Sequence, residues 1–336
     1  MTASNLPAAA LSTLPIIGVD IGGTKMAAAL VSPDGRSVEG LKTCATPHAP
    51  LAFLDALSSL VEPLREASGN VVQRVGVATA GMVDNTRGRI IGATGNLPAL
   101  QDVPAVRAAW EQRSGLMIHL ENDANAAAYG EWVAGAGRGC HDLLMITLGT
   151  GVGVGFILEG RLIRGAHFSA GEGGHIALSM AHERLCTCGK WDCWETYASG
   201  TGLAETARRL LEAAPNAEYS KLVASKPGGI PAVTTHDVVN AWRSGNALAL
   251  EMMDTWHTHI AVGLGSLINI LDPARVVVGG GMAQFVDFKL LTERTMPRTM
   301  YPANLPSDIA PLAIVPAELG NQAGLVGAAC LARLVP

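Results

Sequence analysis

One phrase occurs twice in the chain, and it limits the available folds more than any other feature. Residues 16–20 form a short apolar run ending in Asp20, Ile21-Gly22-Gly23-Thr24 reads as a turn, and residues 26–31 are apolar again before the turn Asp34-Gly35. Residues 143–147 are likewise apolar, Gly149-Thr150-Gly151 reads as a turn, and residues 152–158 are apolar up to Glu159-Gly160. Each copy is expected to be two strands joined through a glycine turn. The turn therefore leads into a strand, not into the helix that a dinucleotide-binding glycine signature requires. Ordinary hairpins also carry glycine turns. Two such phrases in 336 residues nevertheless point to a duplicated plan, and the length is sufficient for two cores.

The segments between and after the copies alternate strand and helix patterns. Leu51, Leu54, Leu57, Leu60 and Val61 have helical spacing, which predicts an amphipathic helix over 50–67. A strand at 74–78 runs into Thr79-Ala80-Gly81, and a second helix is expected over 103–114 with Pro104 in its first turn. A strand at 116–121 runs into Asn122-Asp123 and an alanine-rich helix, so these two residues fall at a strand end, where open α/β sheets collect ligands. Helices are expected over 202–214, 247–271 and 324–334, and a strand at 275–278 leads to Gly279-Gly280-Gly281. The stretch 215–235, rich in Pro, Gly and Ser, reads as a flexible excursion. The alternation predicts an α/β protein.

Residues 171–195 concentrate the unusual chemistry. His175, Cys186, Cys188 and Cys193 form a closed set for a tetrahedral zinc ion, whereas Cys44, Cys140 and Cys330 are scattered. Four protein ligands leave no open position, so the metal is expected to be structural. The alternative is three buried cysteines with a surface histidine. Glu172 and Glu195 flank the set and suit a polar ligand. The net charge of −5 and the absence of a basic run give no support to a nucleic-acid surface. No apolar run reaches membrane-spanning length. Residues 1–14 form a small-residue tail without Lys or Arg, unlike a secretory signal. With cysteines grouped as metal ligands, a reducing, cytoplasmic setting is expected.

Glycine turns after strands let backbone N–H groups approach phosphate oxygens. Gly22-Gly23-Thr24, Gly149-Thr150-Gly151 and Gly279-Gly280-Gly281 are thus candidate nucleotide contacts, and Asp20 is a candidate for holding magnesium through water. Asp123 has two readings, a general base for phosphoryl transfer or the N-cap of the alanine-rich helix. Asn96, Asn122, Glu172 and Glu195 are groups that read sugar hydroxyls, although any one of them alone is an ordinary loop residue.

Together, residues 20–25 (DIGGTK), 121–127 (ENDANAA), 148–151 (LGTG), 171–175 (GEGGH) and the Cys186-Thr187-Cys188-Gly189 run through Cys193-Trp194-Glu195 resemble the ROK family of sugar kinases, repressors and open reading frames. The likeness runs from about Ile16 to the end. It implies a two-lobed actin-like, hexokinase-type ATPase of ribonuclease H-like fold, each lobe a mixed sheet flanked by helices, with a zinc-bound loop. It implies an N-terminal lobe over 15–123 plus 321–336 and a C-terminal lobe over 124–320. By similarity, Asp20, Gly22, Gly23, Thr24 and Lys25 belong to the first phosphate motif, Gly149, Thr150 and Gly151 to the second, and Gly279, Gly280 and Gly281 to the adenosine turn. Asp123 matches the catalytic base for a sugar 6-hydroxyl. Gly81, Asn96, Asn122, Glu172, His175 and Glu195 match sugar-binding positions. The resemblance implies ATP with Mg2+ as donor, structural Zn2+, glucose or else an N-acetylhexosamine such as N-acetylmannosamine as acceptor, and a homodimer or homotetramer.

Two positions depart from the family pattern. Ala80-Gly81 stands where Pro-Gly is frequent, and Asp192 stands where a glycine usually precedes the third cysteine. Both bear on sugar identity more than on the reaction. A sugar-sensing regulator is the remote alternative. The expected first strand at Ile16 leaves too short a tail for a helix-turn-helix domain.

Overall fold

A computed structural model describes residues 14–92, 97, 106–213, 228–300 and 305–334. The first sheet opens with β1 (Ile16–Ile21) and β2 (Lys25–Val31), an antiparallel hairpin turning at Gly22-Gly23-Thr24. β3 (Val38–Ala45) pairs antiparallel with β2 as an edge strand. Its side chains are almost all exposed, so it lacks the alternation that marks a half-buried strand. α1 (Pro50–Ala67) follows, with proline in its first turn. It buries Phe53, Leu54, Leu57, Leu60, Val61 and Leu64, each contributing roughly 1.5–3 kcal/mol. Leu51, expected in the apolar stripe, is 73% exposed, and Phe53 takes the place in the core. β4 (Arg74–Thr79) pairs parallel with β1, and β5 (Met82–Asp84) and β6 (Arg89–Gly92) form a separate hairpin. After α2 (Val106–Ser114), β7 (Met117–Asn122) pairs parallel with β4, completing the order β3-β2-β1-β4-β7.

α3 (Asp123–Ala134) starts at the residue after the end of β7. The second sheet has the order β10-β9-β8-β11-β12, from β8 (Leu143–Leu148), β9 (Val152–Leu158), β10 (Arg161–Leu162), β11 (Arg275–Gly279) and β12 (Ala313–Pro316). It matches the first sheet strand for strand: an antiparallel pair at one edge and a parallel pair at the other. The repeated phrase thus occupies the equivalent place in each sheet.

Among the described residues, the helices after β10 are the short α4 (Glu195–Ala198), α5 (Gly200–Ala213), α6 (Thr235–Arg243), α7 (Ala247–Leu271), α8 (Phe288–Thr295) and α9 (Ala323–Ala332). The 25-residue α7 begins where the Asn246 side chain accepts the Ala249 N–H and stops at Asp272, whose φ is 43°. Its own Trp256 is fully buried, and so is Trp194, which packs against it. The Trp194 indole donates to the His259 carbonyl at 2.9 Å, and a Cβ on Gly263 would fall on its ring. The chain that leads into Glu195 is therefore pinned to the longest helix.

The chain divides into two compact units: 1–143 with 155–170 and 317–336, and 144–154 with 171–316. A linear division at residue 123 would put α3 in the second lobe, but α3 lies in the first unit with α9. Small residues explain this. A Cβ on Gly327 would fall on the Ala126 carbonyl, one on Gly130 on the Ala323 carbonyl, and one on Gly18 on the Leu325 carbonyl. Backbone thus meets backbone, an approach that larger side chains would prevent. Among the described residues no helix is long and apolar enough to cross a membrane.

Candidate active site and metal-ligand loop

In the first unit, the acids sit at strand ends. Asp20 is the last residue but one of β1, and burial followed by the charge of Asp123 pushes its carboxyl up to about 7. Gly324 lies beside it, where a Cβ would make an ordinary contact 3.4 Å from Asp20 Oδ2. In the first glycine turn, the Gly22 N–H donates to the Lys25 carbonyl at 3.0 Å and the Thr46 hydroxyl donates to the Gly22 carbonyl at 2.7 Å. Thr24 and Lys25 are exposed at its tip.

The junction of β7 and α3 shows which residue caps the helix. The N-cap is Asn122, whose Oδ1 accepts the Asn125 N–H at 3.0 Å. Asp123 is instead the first helical residue, accepting its neighbour's Ala124 N–H at 2.9 Å. Its side chain is open to solvent, yet the protein packed around it raises its carboxyl above the usual range. It is thus relieved of capping and biased toward holding a proton, as suits a general base. The Asn122 amide also donates to the Gly81 carbonyl at 3.0 Å, and Gly81 has a φ of 101°. Asn96 lies outside the described residues.

Sequence reasoning missed the support beneath this junction. Glu121, 1% exposed, accepts Arg164 Nε at 2.7 Å, Asn125 Nδ2 at 3.2 Å and the Asn122 N–H at 3.1 Å. Arg164 lies 43 residues further along the chain. No local pattern announces such a pair.

In the second unit, the Gly149 N–H donates to the Gly151 carbonyl at 3.0 Å. The turn is fixed from outside by the start of α5. The Gly200 N–H donates to the Gly149 carbonyl at 2.8 Å and the Thr201 hydroxyl to the Thr150 carbonyl at 2.7 Å. In a trans peptide the N–H points opposite to its C=O. Tying these two carbonyls back turns the Thr150 and Gly151 N–H groups the other way, and neither has an acceptor among the described residues. Gly279-Gly280-Gly281 follows β11 alongside: Gly280 has a φ of 85°, and the Met282 N–H donates to the Leu148 carbonyl at 2.9 Å. The second and third glycine clusters therefore come together.

The ligand loop begins at the 3-10 turn Glu172–His175, pressed onto β9 so closely that a Cβ on Gly174 would fall on the Val152 carbonyl. One donor atom from each of His175, Cys186, Cys188 and Cys193 lies within 4.8 Å of the others. His175 Nδ1 is 3.7 Å from Cys186 Sγ, and Cys188 Sγ is 3.6 Å from Cys193 Sγ. One imidazole and three thiols at this separation fit a tetrahedral zinc ion. Burial also pushes the Cys186 thiol well above its usual range, an electrostatic cost that a cation would remove.

The flanking acids converge on the same group. Glu172 Oε2 lies 3.6 Å from His175 Nε2, while Glu195 Oε1 lies 3.1 Å from Cys186 Sγ. Glu195 Oε2 accepts the Val152 N–H at 3.3 Å, so this acid touches both the donor cluster and the strand leaving the second glycine turn. A Cβ on Gly151 would fall on the same oxygen, which explains glycine there.

The ROK family model matches residues 16–334. A glucokinase of Streptomyces coelicolor is 37% identical over 320 residues, covering 94% of this chain and 97% of the relative. An N-acetyl-D-glucosamine kinase of Salmonella newport is 32% identical over 330 residues, with 94% and 98% covered. The crystal structure of a ROK family glucokinase from Streptomyces griseus, in complex with glucose and AMPPNP, superposes with a TM-score of 0.78 at 34% identity, covering 96% of this chain and 100% of that one. With the glycine turns, the acids at the strand ends and the ligand loop all in place, the chain belongs to the ROK family, within the actin-like ATPase superfamily of sugar kinases.

Proposed function

We propose that this ATP-dependent sugar kinase phosphorylates a hexose at its 6-hydroxyl, with glucose as the preferred acceptor. The observation that supports this reading most is Asp123: a solvent-open carboxylate at a strand end, freed from capping by Asn122, with its proton affinity raised. The 6-hydroxyl attacks the γ-phosphorus while Asp123 takes its proton. The new O–P bond forms as the bond to the β-phosphate oxygen breaks, and ADP leaves. Thr24, the N–H groups of Thr150 and Gly151, and the magnesium that accompanies ATP offset charge on the transferring group. Asp20 would hold that magnesium through water. Gly81, Asn96, Asn122, Glu172, His175 and Glu195 recognise the sugar. The glucokinase relatives and the glucose complex of the Streptomyces griseus protein support glucose.

His175, Cys186, Cys188 and Cys193 would hold a structural zinc ion, whose bonds draw the ligand loop together. Nδ1 of His175 faces the sulfurs, leaving Nε2 toward Glu172 and the sugar. Free thiols at such a site suit a reducing compartment, in keeping with a cytoplasmic enzyme. Freshly purified protein is expected to carry about one zinc per chain by metal analysis.

A second reading, an N-acetylhexosamine kinase, is favoured by the Salmonella newport relative and by Thr79-Ala80-Gly81 beside the Asn122 amide. ADP release across hexoses and N-acetylhexosamines, with ATP, GTP and polyphosphate as donors, separates the two. The highest kcat/KM is expected for glucose with ATP. A higher value for an N-acetyl sugar would transfer the assignment, and no ADP from any sugar would end it.

A further inference from the structure

Beyond its donor atoms, the ligand loop is organised by one buried carboxylate. Asp192 is wholly buried and lies in the left-handed region, with a φ of 58°. Its Oδ2 accepts the N–H of His182 at 2.7 Å, and its Oδ1 accepts those of Glu183 at 3.0 Å and Arg184 at 2.9 Å. Oδ1 also accepts the Tyr197 hydroxyl at 2.8 Å. The backbone closes the same contact, with the Asp192 N–H donating to the Arg184 carbonyl at 2.7 Å and the Leu178 N–H to the Asp192 carbonyl at 2.8 Å. Three successive N–H groups around one anion form a nest of the kind that holds phosphate, filled here by the chain's own side chain.

Arg184 then fastens this nest to its surroundings. Its guanidinium lies 4.1 Å from the Tyr197 ring centroid and donates to the Thr196 carbonyl at 2.8 Å, the Gly202 carbonyl at 3.3 Å and Thr206 Oγ1 at 3.0 Å. The network reaches α4, which begins with Glu195, and α5 beyond it. None of these bonds involves a thiol or the imidazole.

We propose that Asp192 is the positioning residue of the ligand loop, holding the backbone around Cys186, Cys188 and Cys193 in its metal-ready shape before any metal binds. The inference rests on reading the four donors as zinc ligands. Zinc then adds to a loop already formed, and Glu195 keeps its place at the sugar through the Tyr197–Arg184 contacts. The left-handed backbone alone does not account for Asp192, because glycine adopts that conformation more readily and leaves the three N–H groups without their acceptor.

Hydrogen exchange on the full chain, zinc-loaded and chelator-stripped, tests this for wild type, Asp192→Gly and Asp192→Asn. Stripped wild type is expected to keep the His182, Glu183 and Arg184 amides within about threefold of their zinc-loaded exchange rates, while Asp192→Gly speeds them about 100-fold in both states. Asp192→Asn, with one acceptor oxygen, should keep the Glu183 and Arg184 amides protected and release that of His182. Zinc affinity, by chelator competition, should fall about 10- to 100-fold in Asp192→Gly. Sugar KM should rise while ATP KM holds. Amides that exchange in stripped wild type as fast as in Asp192→Gly would overturn the proposal, since metal and not Asp192 would then shape the loop. A wild type that takes up no added zinc would end the zinc reading, and the exchange contrast between wild type and Asp192→Gly would still decide the role of Asp192.

Discussion

The two glycine turns start from nearly the same phrase and finish in different surroundings. The turn at Gly22 is held by Thr46, which follows the edge strand of its own sheet, and its nearby acid is Asp20 with a raised carboxyl. The turn at Gly149 is held by Gly200 and Thr201 at the start of a helix, and its nearby acid is Glu195 from the ligand loop. A hairpin with a glycine turn is a local product of the sequence. The group that braces it is not, and bracing decides which N–H groups are left for a ligand. In the first unit the charge of Asp123 helps to raise the carboxyl of Asp20. In the second, the acid ties the glycine turn to the metal-ligand loop.

The largest expected contrast is in the chemical step. Asp123→Ala should lower kcat by about 10³-fold while calorimetry still detects sugar binding. Near wild-type turnover would remove proton chemistry from the first unit. Because Asp123 acts ionised and its carboxyl is raised, kcat should be full at alkaline pH. It should fall on the acid side with a midpoint above the usual carboxylate value of about 4.

Next is stability. Asp20 has a folded value of about 7 against 3.8 for the unfolded chain. Its neutral form favours the fold, so its contribution is complete below about pH 4 and lost as pH rises through about 7. Ligand-free Asp20→Asn should therefore gain up to about 4 kcal/mol over wild type at pH 8 and little near pH 4. Denaturant melts at the two pH values measure this, and an equal difference at both would refute the assignment.

A smaller effect separates two glycines of one turn. Gly151→Ala places a methyl on Glu195 Oε2, whereas a Cβ on Gly149 meets nothing within 4 Å. Gly151→Ala should raise sugar and ATP KM together by about tenfold, and Gly149→Ala should leave sugar KM unchanged. Equal behaviour would break the link between Glu195 and the turn. The smallest effects are those of the bracing hydroxyls. Thr46→Val and Thr201→Val each remove one hydrogen bond to a turn carbonyl, worth about 1 kcal/mol. Each should raise ATP KM a few-fold without altering sugar affinity, and Thr201→Ser should restore it.

Much of this site was legible because its residues are contiguous. The hairpins, the long helix Ala247–Leu271 and the strand-to-helix junction at Asp123 follow from apolar period and turn chemistry, and the structure has them within a residue or two. The four donors sit close enough in sequence for their spacing to identify them. β3 escaped because nearly all its side chains face solvent and its pairing comes from β2. Thr201 and Arg164 escaped because each acts on a residue more than 40 positions away. At Asp123 the sequence left base and cap equally open, and in the structure the cap is taken by the Asn122 side chain.

By itself, the sequence determined what local physics can write: which segments are strand or helix, where glycine must turn the chain, and which donor atoms suit a metal. The tertiary structure decided which carbonyls are tied back so that N–H groups point outward, which acids are desolvated, and which buried carboxylate holds the ligand loop. Those properties depend on distance and on exclusion of water, and neither exists until segments far apart in the chain have packed together.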